Sequence, residues 1–138
     1  VEPKGTGKLN YGWRIAEGSV CRGGGGGCNT AGMTPPVYDY SHSNGDDCIV
    51  GGYVYRGSAI PSLQGFYLLA DNGPSKSVRA FVWSGTGRCN DETVNLTGQF
   101  SGIAGDITSF GEDSAGELYI TSFGTSGSDG RVYRIDAK

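Results

Sequence analysis

The chain has 138 residues, 26 of them glycine, 36% hydrophobic residues and a formal net charge of −3. This length bounds it to one domain over 1–138, and the glycine content favours turns and bulges over helices. No basic run is present, which argues against nucleic acid, and no apolar stretch reaches membrane-spanning length.

In chain order, residues 1–8 read as a loose lead-in. The absence of a leader segment and of an initial Met reads as a processed protein or a fragment. Residues 9–18 are short and aromatic, with Tyr11 and Trp13 expected to anchor a loop against a core. Residues 19–33 are glycine-rich, with Cys21 and Cys28 flanking Arg22 and five glycines. A disulfide closing this loop is the plain reading and two free thiols the alternative. Zinc is disfavoured, because His42 is the only histidine. Cys48 and Cys89 remain, and their pairing is open. Pro35 and Pro36 force extended chain, residues 37–40 read as a short strand, and residues 41–47 as a turn-rich loop.

The densest apolar stretch follows. Residues 49–56 and 65–70 read as two strands joined by a polar connection broken at Pro61. Their apolar positions run almost continuously, which predicts cover on both faces. Residues 71–74 close the pair with turn chemistry. Residues 77–83 alternate like an outer strand, and residues 94–100 offer a fourth. Asn95-Leu96-Thr97 is a glycosylation sequon, which fits a secreted glycoprotein. Residues 107–110, a turn at 112–116, and strands at 117–123 and 131–135 complete the chain. Residues 65–69 echo 116–120 at a spacing of 51. A repeat near that period, with three or four short strands per unit, predicts propeller blades, and a seven-stranded sandwich is the alternative.

The segments NYGW…EG (10–18), PPVYDYSHS (35–43), GGYVYRGSAIPSLQGFYLLAD (51–71), SFGEDSAGELYITS (109–122) and GRVYRI (130–135) arrive in order. Together they resemble the C-terminal part of the glucose/sorbosone dehydrogenase family. That family includes soluble quinoprotein sugar dehydrogenases and Hedgehog-interacting-protein-like proteins of animals and plants. The resemblance implies an all-β fold, about two blades of a six-bladed β-propeller. The cysteine pair after Trp13 is more similar to the Hedgehog-interacting-protein-like branch. In the enzymes, pyrroloquinoline quinone (PQQ) does the chemistry with a histidine base from an earlier blade, and arginines and calcium hold it. The stretch that would carry that histidine lies outside these 138 residues. At residues 105–109 an arginine-aspartate pair is expected of the enzymes, and no arginine stands there.

Three residues are the candidate ligand contacts. His42 lies beside Asp39, Asp46 and Asp47, as a catalytic base or a loop histidine. Arg56 follows an inner strand and reads as an anion or sugar contact or as an ion pair with a neighbouring blade. Tyr53, with Tyr38 and Tyr40, supports a carbohydrate-binding reading. Asp46-Asp47 and Asp71-Asn72 are calcium candidates or turn-formers, and Asp113 is a turn-former. No catalytic residue and no metal ligand is assigned. The function expected is a secreted, non-catalytic structural or binding module that self-associates through blade edges. The alternatives are part of a PQQ-dependent sugar dehydrogenase, completed by missing blades, or a carbohydrate-binding module.

Overall fold

The computed structural model describes residues 7–23, 27–86, 93–126 and 128–137. It is all-β apart from short 3₁₀ turns. The chain, expected as one propeller-like domain, divides into two compact units: Val1–Tyr40 with Gly85–Asp91, and Ser41–Ser84 with Glu92–Lys138.

The first unit carries a short hairpin, β1 (Ala16–Glu17) against β2 (Val20–Cys21), with Cys21 bonded to Cys28. Asp39 accepts a hydrogen bond from the Ser19 amide at 2.9 Å, in the turn of this hairpin. Residues 37–40, expected as a strand, form none: 37 and 38 bend, and 39 and 40 are irregular. Tyr11 and Trp13 do not anchor a core. Both are exposed, Trp13 at 72%, and the Arg22 guanidinium lies 5.0 Å from the Trp13 ring centre. A cation over an indole face offsets some of the cost of that exposure.

The second unit holds two sheets. One is ordered β3 (Ile49–Val50), β4 (Tyr67–Asp71), β5 (Val78–Phe81), β6 (Val94–Asn95); the other is ordered β7 (Ile107–Glu112), β8 (Leu118–Ser122), β9 (Arg131–Arg134). Every pairing is antiparallel. Each sheet is one blade-like unit, and the 51-residue echo falls on β4 and β8.

The continuous apolar run in β4 is buried on both faces: Leu68, Leu69, Ala70 and Asp71 are all inaccessible. β8 alternates instead, burying Leu118, Ile120 and Ser122. Tyr55, Leu68, Ile107, Phe110, Leu118 and Ile120 form the core of this unit. Burying each such side chain is worth about 1.5–3 kcal/mol.

Three further expectations are corrected. The strand predicted over 49–56 pairs regularly only at Ile49–Val50. Its glycines interrupt the ladder: a Cβ on Gly52 would lie 2.3 Å from the Leu68 carbonyl oxygen. The chain resumes irregular pairing beyond them, with the Tyr55 amide on the Phe66 carbonyl. The stretch at 77–83 is not an outer strand, because β6 covers β5 and Val78 and Ala80 are fully buried. The fourth strand predicted over 94–100 stops at Asn95, and Thr97–Phe100 is a 3₁₀ turn.

Candidate functional site

The chemistry-bearing residues of the second unit gather at the joint between its sheets. Asp113 opens this joint. Its Oδ1 accepts the amides of Ala115 (2.9 Å) and Glu117 (3.0 Å), and its Oδ2 accepts the Tyr119 hydroxyl (3.1 Å). This Asx turn is what the sequence predicted for Asp113. These bonds, the Glu117 amide first, hold the Asp113 carboxyl below its ordinary range. The turn directs the Glu117 side chain into the loop after Tyr55 on the other sheet. Glu117 Oε2 accepts the Tyr55 hydroxyl at 2.7 Å, and Oε1 accepts the amides of Ser58 (2.9 Å) and Ala59 (3.0 Å). The Tyr55 oxygen in turn accepts the Ile60 amide at 2.9 Å.

The cluster is therefore saturated: one buried carboxylate, one buried phenol and three loop amides. Tyr55 first, then the amides, hold the Glu117 carboxyl below its ordinary value. Burial first, then the bond to Glu117, push the Tyr55 phenol up. A Tyr55→Phe substitution removes the partner of both Glu117 Oε2 and the Ile60 amide. It is expected to cost about 1–3 kcal/mol at pH 7. The sign with pH follows from linkage. Glu117 is lowered in the folded state, so its contribution is present above the ordinary carboxylate range and is lost as pH falls through the folded value. Urea titrations should show the gap between wild type and variant shrinking toward pH 3.

Two further acids are bonded in the same manner. Asp71, fully buried, accepts the amides of Asp47, Cys48 and Gly73. Asp46 accepts the hydroxyls of Ser75 (2.6 Å) and Ser77 (2.9 Å) and pairs with Arg79. Burial raises the Asp46 pKa, but the bonds from Ser75, Arg79 and Ser77 outweigh it and the net shift is downward. These acids fix the ends of β3, β4 and β5. Among the described residues no three His, Cys, Asp or Glu side chains gather as a metal site.

A pocket of about 480 Å³ opens beside the joint, lined by Ile60, Leu63, Leu96, Phe100, Ile120 and Tyr133 among others. Its volume falls in the small-ligand range, and its walls are mainly apolar.

The sequence-nominated residues fall in different surroundings. His42 is exposed, its Nδ1 3.9 Å from Asp47. Tyr53 is partly exposed and gives its carbonyl to the Leu68 amide. Arg56 is exposed, donates to the Val54 carbonyl at 3.2 Å and lies 4.0 Å from Glu112 on the other sheet. Asn95 is exposed on β6, its Oδ1 accepting the Thr97 amide. Cys48 is exposed, and Cys89 lies outside the described residues. Glu117 was not singled out by the sequence reading; a carboxylate directly after the Asp-x-x-Gly turn was the available signal.

PQQ carries three carboxylates and needs converging cations or amide donors. Here the Ser58 and Ala59 amides serve Glu117, and Arg56 faces Glu112. In the stretch 105–109, Gly105 abuts the Gly124 backbone, Ile107 is buried and Thr108 bonds Thr121. This donor set does not fit the anionic quinone.

No family model matches the chain. It is 30% identical to HIPL1 protein of Arabidopsis thaliana over 151 aligned residues, which cover 91% of this chain and 21% of that protein. It is 35% identical to the Hedgehog-interacting proteins of Mus musculus and Homo sapiens over 101 residues, 67% of this chain and 14% of either relative. The chain thus spans about a fifth or less of the length of these relatives. Two solved glucose dehydrogenase structures match 94% of the chain, with TM-scores of 0.61 and 0.62 at 17% and 18% identity, over 34% and 36% of their own length. That likeness concerns the fold.

Proposed function

For a chain that is a glucose/sorbosone-dehydrogenase-like, Hedgehog-interacting-protein-like β-propeller over part of its relatives' length, we propose a secreted, non-catalytic binding module. The observation that carries this reading is the state of the buried and half-buried acids. Glu117, Asp71 and Asp46 are each bonded by donors of this chain and hold loops and strands in place. A general base needs a carboxylate or imidazole with an open lone pair beside the substrate. The one histidine, His42, sits exposed in a loop near Asp47 instead. The disulfide between Cys21 and Cys28 and the exposed sequon asparagine, Asn95, support secretion.

The test is an oxidoreductase assay on the purified full-length protein, with PQQ, calcium, an aldose and an electron-accepting dye. The expected result is dye reduction no faster than in the buffer control. Aldose-dependent turnover would favour the sugar dehydrogenase reading instead.

A further inference from the structure

Asn95 is the one asparagine of the chain followed two positions on by a hydroxyl residue, Thr97. Three hydrogen bonds tie this tripeptide down. Asn95 Oδ1 accepts the Thr97 amide at 2.9 Å, closing an Asx turn. The Leu96 amide donates to the Val78 carbonyl at 2.8 Å, and the Val78 amide donates to Thr97 Oγ1 at 3.1 Å. Thr97 opens the 3₁₀ turn Thr97–Phe100, and its hydroxyl replaces the ladder acceptor that β6 no longer offers Val78.

The Asx turn uses only Oδ1, and an aspartate or a serine makes the same turn. What asparagine adds is Nδ2, which has no hydrogen-bond partner among the described residues and belongs to an exposed side chain. Strand pairing sets it clear of the core. Arg79 lies opposite Asn95, and the residues on either side of Arg79, Val78 and Ala80, are fully buried. Asn95 therefore stands with Arg79 on the other face of the sheet. The two groups that define the sequon are thus in opposite states: the asparagine amide is open and the threonine hydroxyl is bonded.

Resting on the secretion reading above, we propose that Asn95 carries an N-linked glycan and that its transfer precedes the docking of β6 on β5. The donor is an oligosaccharide held on a lipid pyrophosphate. Asn95 Nδ2 attacks the anomeric carbon of the first sugar, and the N–C bond forms as the C–O bond to the pyrophosphate breaks. The lipid pyrophosphate leaves with the electron pair, and the proton lost from Nδ2 passes to a base of the enzyme. The enzyme grips the hydroxyl two residues on during this step, which is why the motif demands Ser or Thr there. In the fold that hydroxyl is turned onto β5, against the amide of the fully buried Val78. Thr97 therefore serves the transferase first and the sheet second, and a chain whose β6 has docked is out of the enzyme's reach. The attached glycan leaves every bond of the docked tripeptide intact, because Nδ2 takes part in none of them.

The test uses the full-length protein, made in eukaryotic cells behind a cleavable secretory leader so that it enters the lumen whatever its natural route. Peptide-N-glycosidase digestion in heavy-oxygen water, followed by peptide mapping, is expected to find labelled Asp at position 95 in most molecules. Asn95→Asp keeps the Oδ1 acceptor, so it should fold, checked by circular dichroism, and lose the glycan completely. Thr97→Ser keeps the hydroxyl and should retain it. An unmodified Asn95 in the leader-driven wild type overturns the proposal. The order of events is read in vitro, with folded full-length protein made in bacteria, the purified transferase and its lipid-linked donor. A peptide of residues 93–100, TVNLTGQF, should be glycosylated at least about tenfold faster than the folded protein, which must first open at β6. Equal rates overturn the claim that transfer precedes docking. The secretion reading is judged separately, by whether the protein with its natural start reaches the medium, so its failure and the failure of the glycan site are distinct results.

Discussion

Replacing Gly57 with alanine is expected to destabilise the protein by about 3 kcal/mol, through hydrogen bonds rather than through simple overlap. A Cβ at this position would meet the Glu117 carboxyl carbon and Oε2 at 2.5 Å and Oε1 at 2.6 Å. A carboxylate at the end of a flexible side chain can ordinarily move aside. This one receives the Tyr55 hydroxyl and the Ser58 and Ala59 amides, and moving it leaves those donors without their acceptor. The expected observation is a lower urea midpoint with an unchanged slope. A double-mutant cycle identifies the cause. In a Glu117→Ala background the added methyl meets no carboxylate, so Gly57→Ala should then cost little. A full cost in that background would locate the strain in the backbone and refute the hydrogen-bond account.

Gly105→Ala should cost more, about 4 kcal/mol or above. The residue has φ +74°, where a side chain adds about 1–2 kcal/mol of strain. Its Cβ would also fall 1.8 Å from the Gly124 carbonyl oxygen and 2.6 Å from the Gly124 nitrogen. Those are backbone atoms, so no rotamer change relieves the overlap. Gly124 is itself closely backed, since a Cβ built there would meet the Asp129 carbonyl oxygen at 2.2 Å. The loop entering β7 and the loop leaving β8 must part, and the bond from the Phe123 amide to the Asp106 carbonyl (3.1 Å) goes with them. Thermal unfolding of the variant should begin well below that of wild type, and Gly102→Ala, whose Cβ meets nothing within 4 Å, is the control. Equal melting temperatures for Gly105→Ala and Gly102→Ala would refute the packing argument.

Where the fold was legible in the sequence, a local pattern carried it. The near-continuous apolar run of β4 marked a strand buried on both faces, and its echo in β8 marked the repeat. The resemblance to the dehydrogenase and Hedgehog-interacting-protein-like family gave the propeller architecture. The errors arose where one residue overrode a pattern. Gly51 and Gly52 interrupt a run that is otherwise rich in β-branched and aromatic residues, because close approach to Leu68 and Phe110 leaves no room for a Cβ at Gly52. Tyr11 and Trp13 are large and apolar enough to suggest an anchor, yet Trp13 stacks with a cation at the surface. The joint was illegible for a different reason. Tyr55 and Glu117 are 62 residues apart, and neither shows in its own neighbourhood that the other is its partner. Turn chemistry is local, so Asp113 could be read; a carboxylate bonded across two sheets could not.

That separation also sets a timetable. A chain made at about 5–20 residues per second needs roughly 3–12 seconds to extend from Tyr55 to Glu117. Throughout that interval the first hairpin can pair, but the Ser58 and Ala59 amides and the Tyr55 hydroxyl have no carboxylate to close on. The nascent first blade is thus a waiting state with an unfilled socket, and it is the arrival of the second blade's turn that latches it.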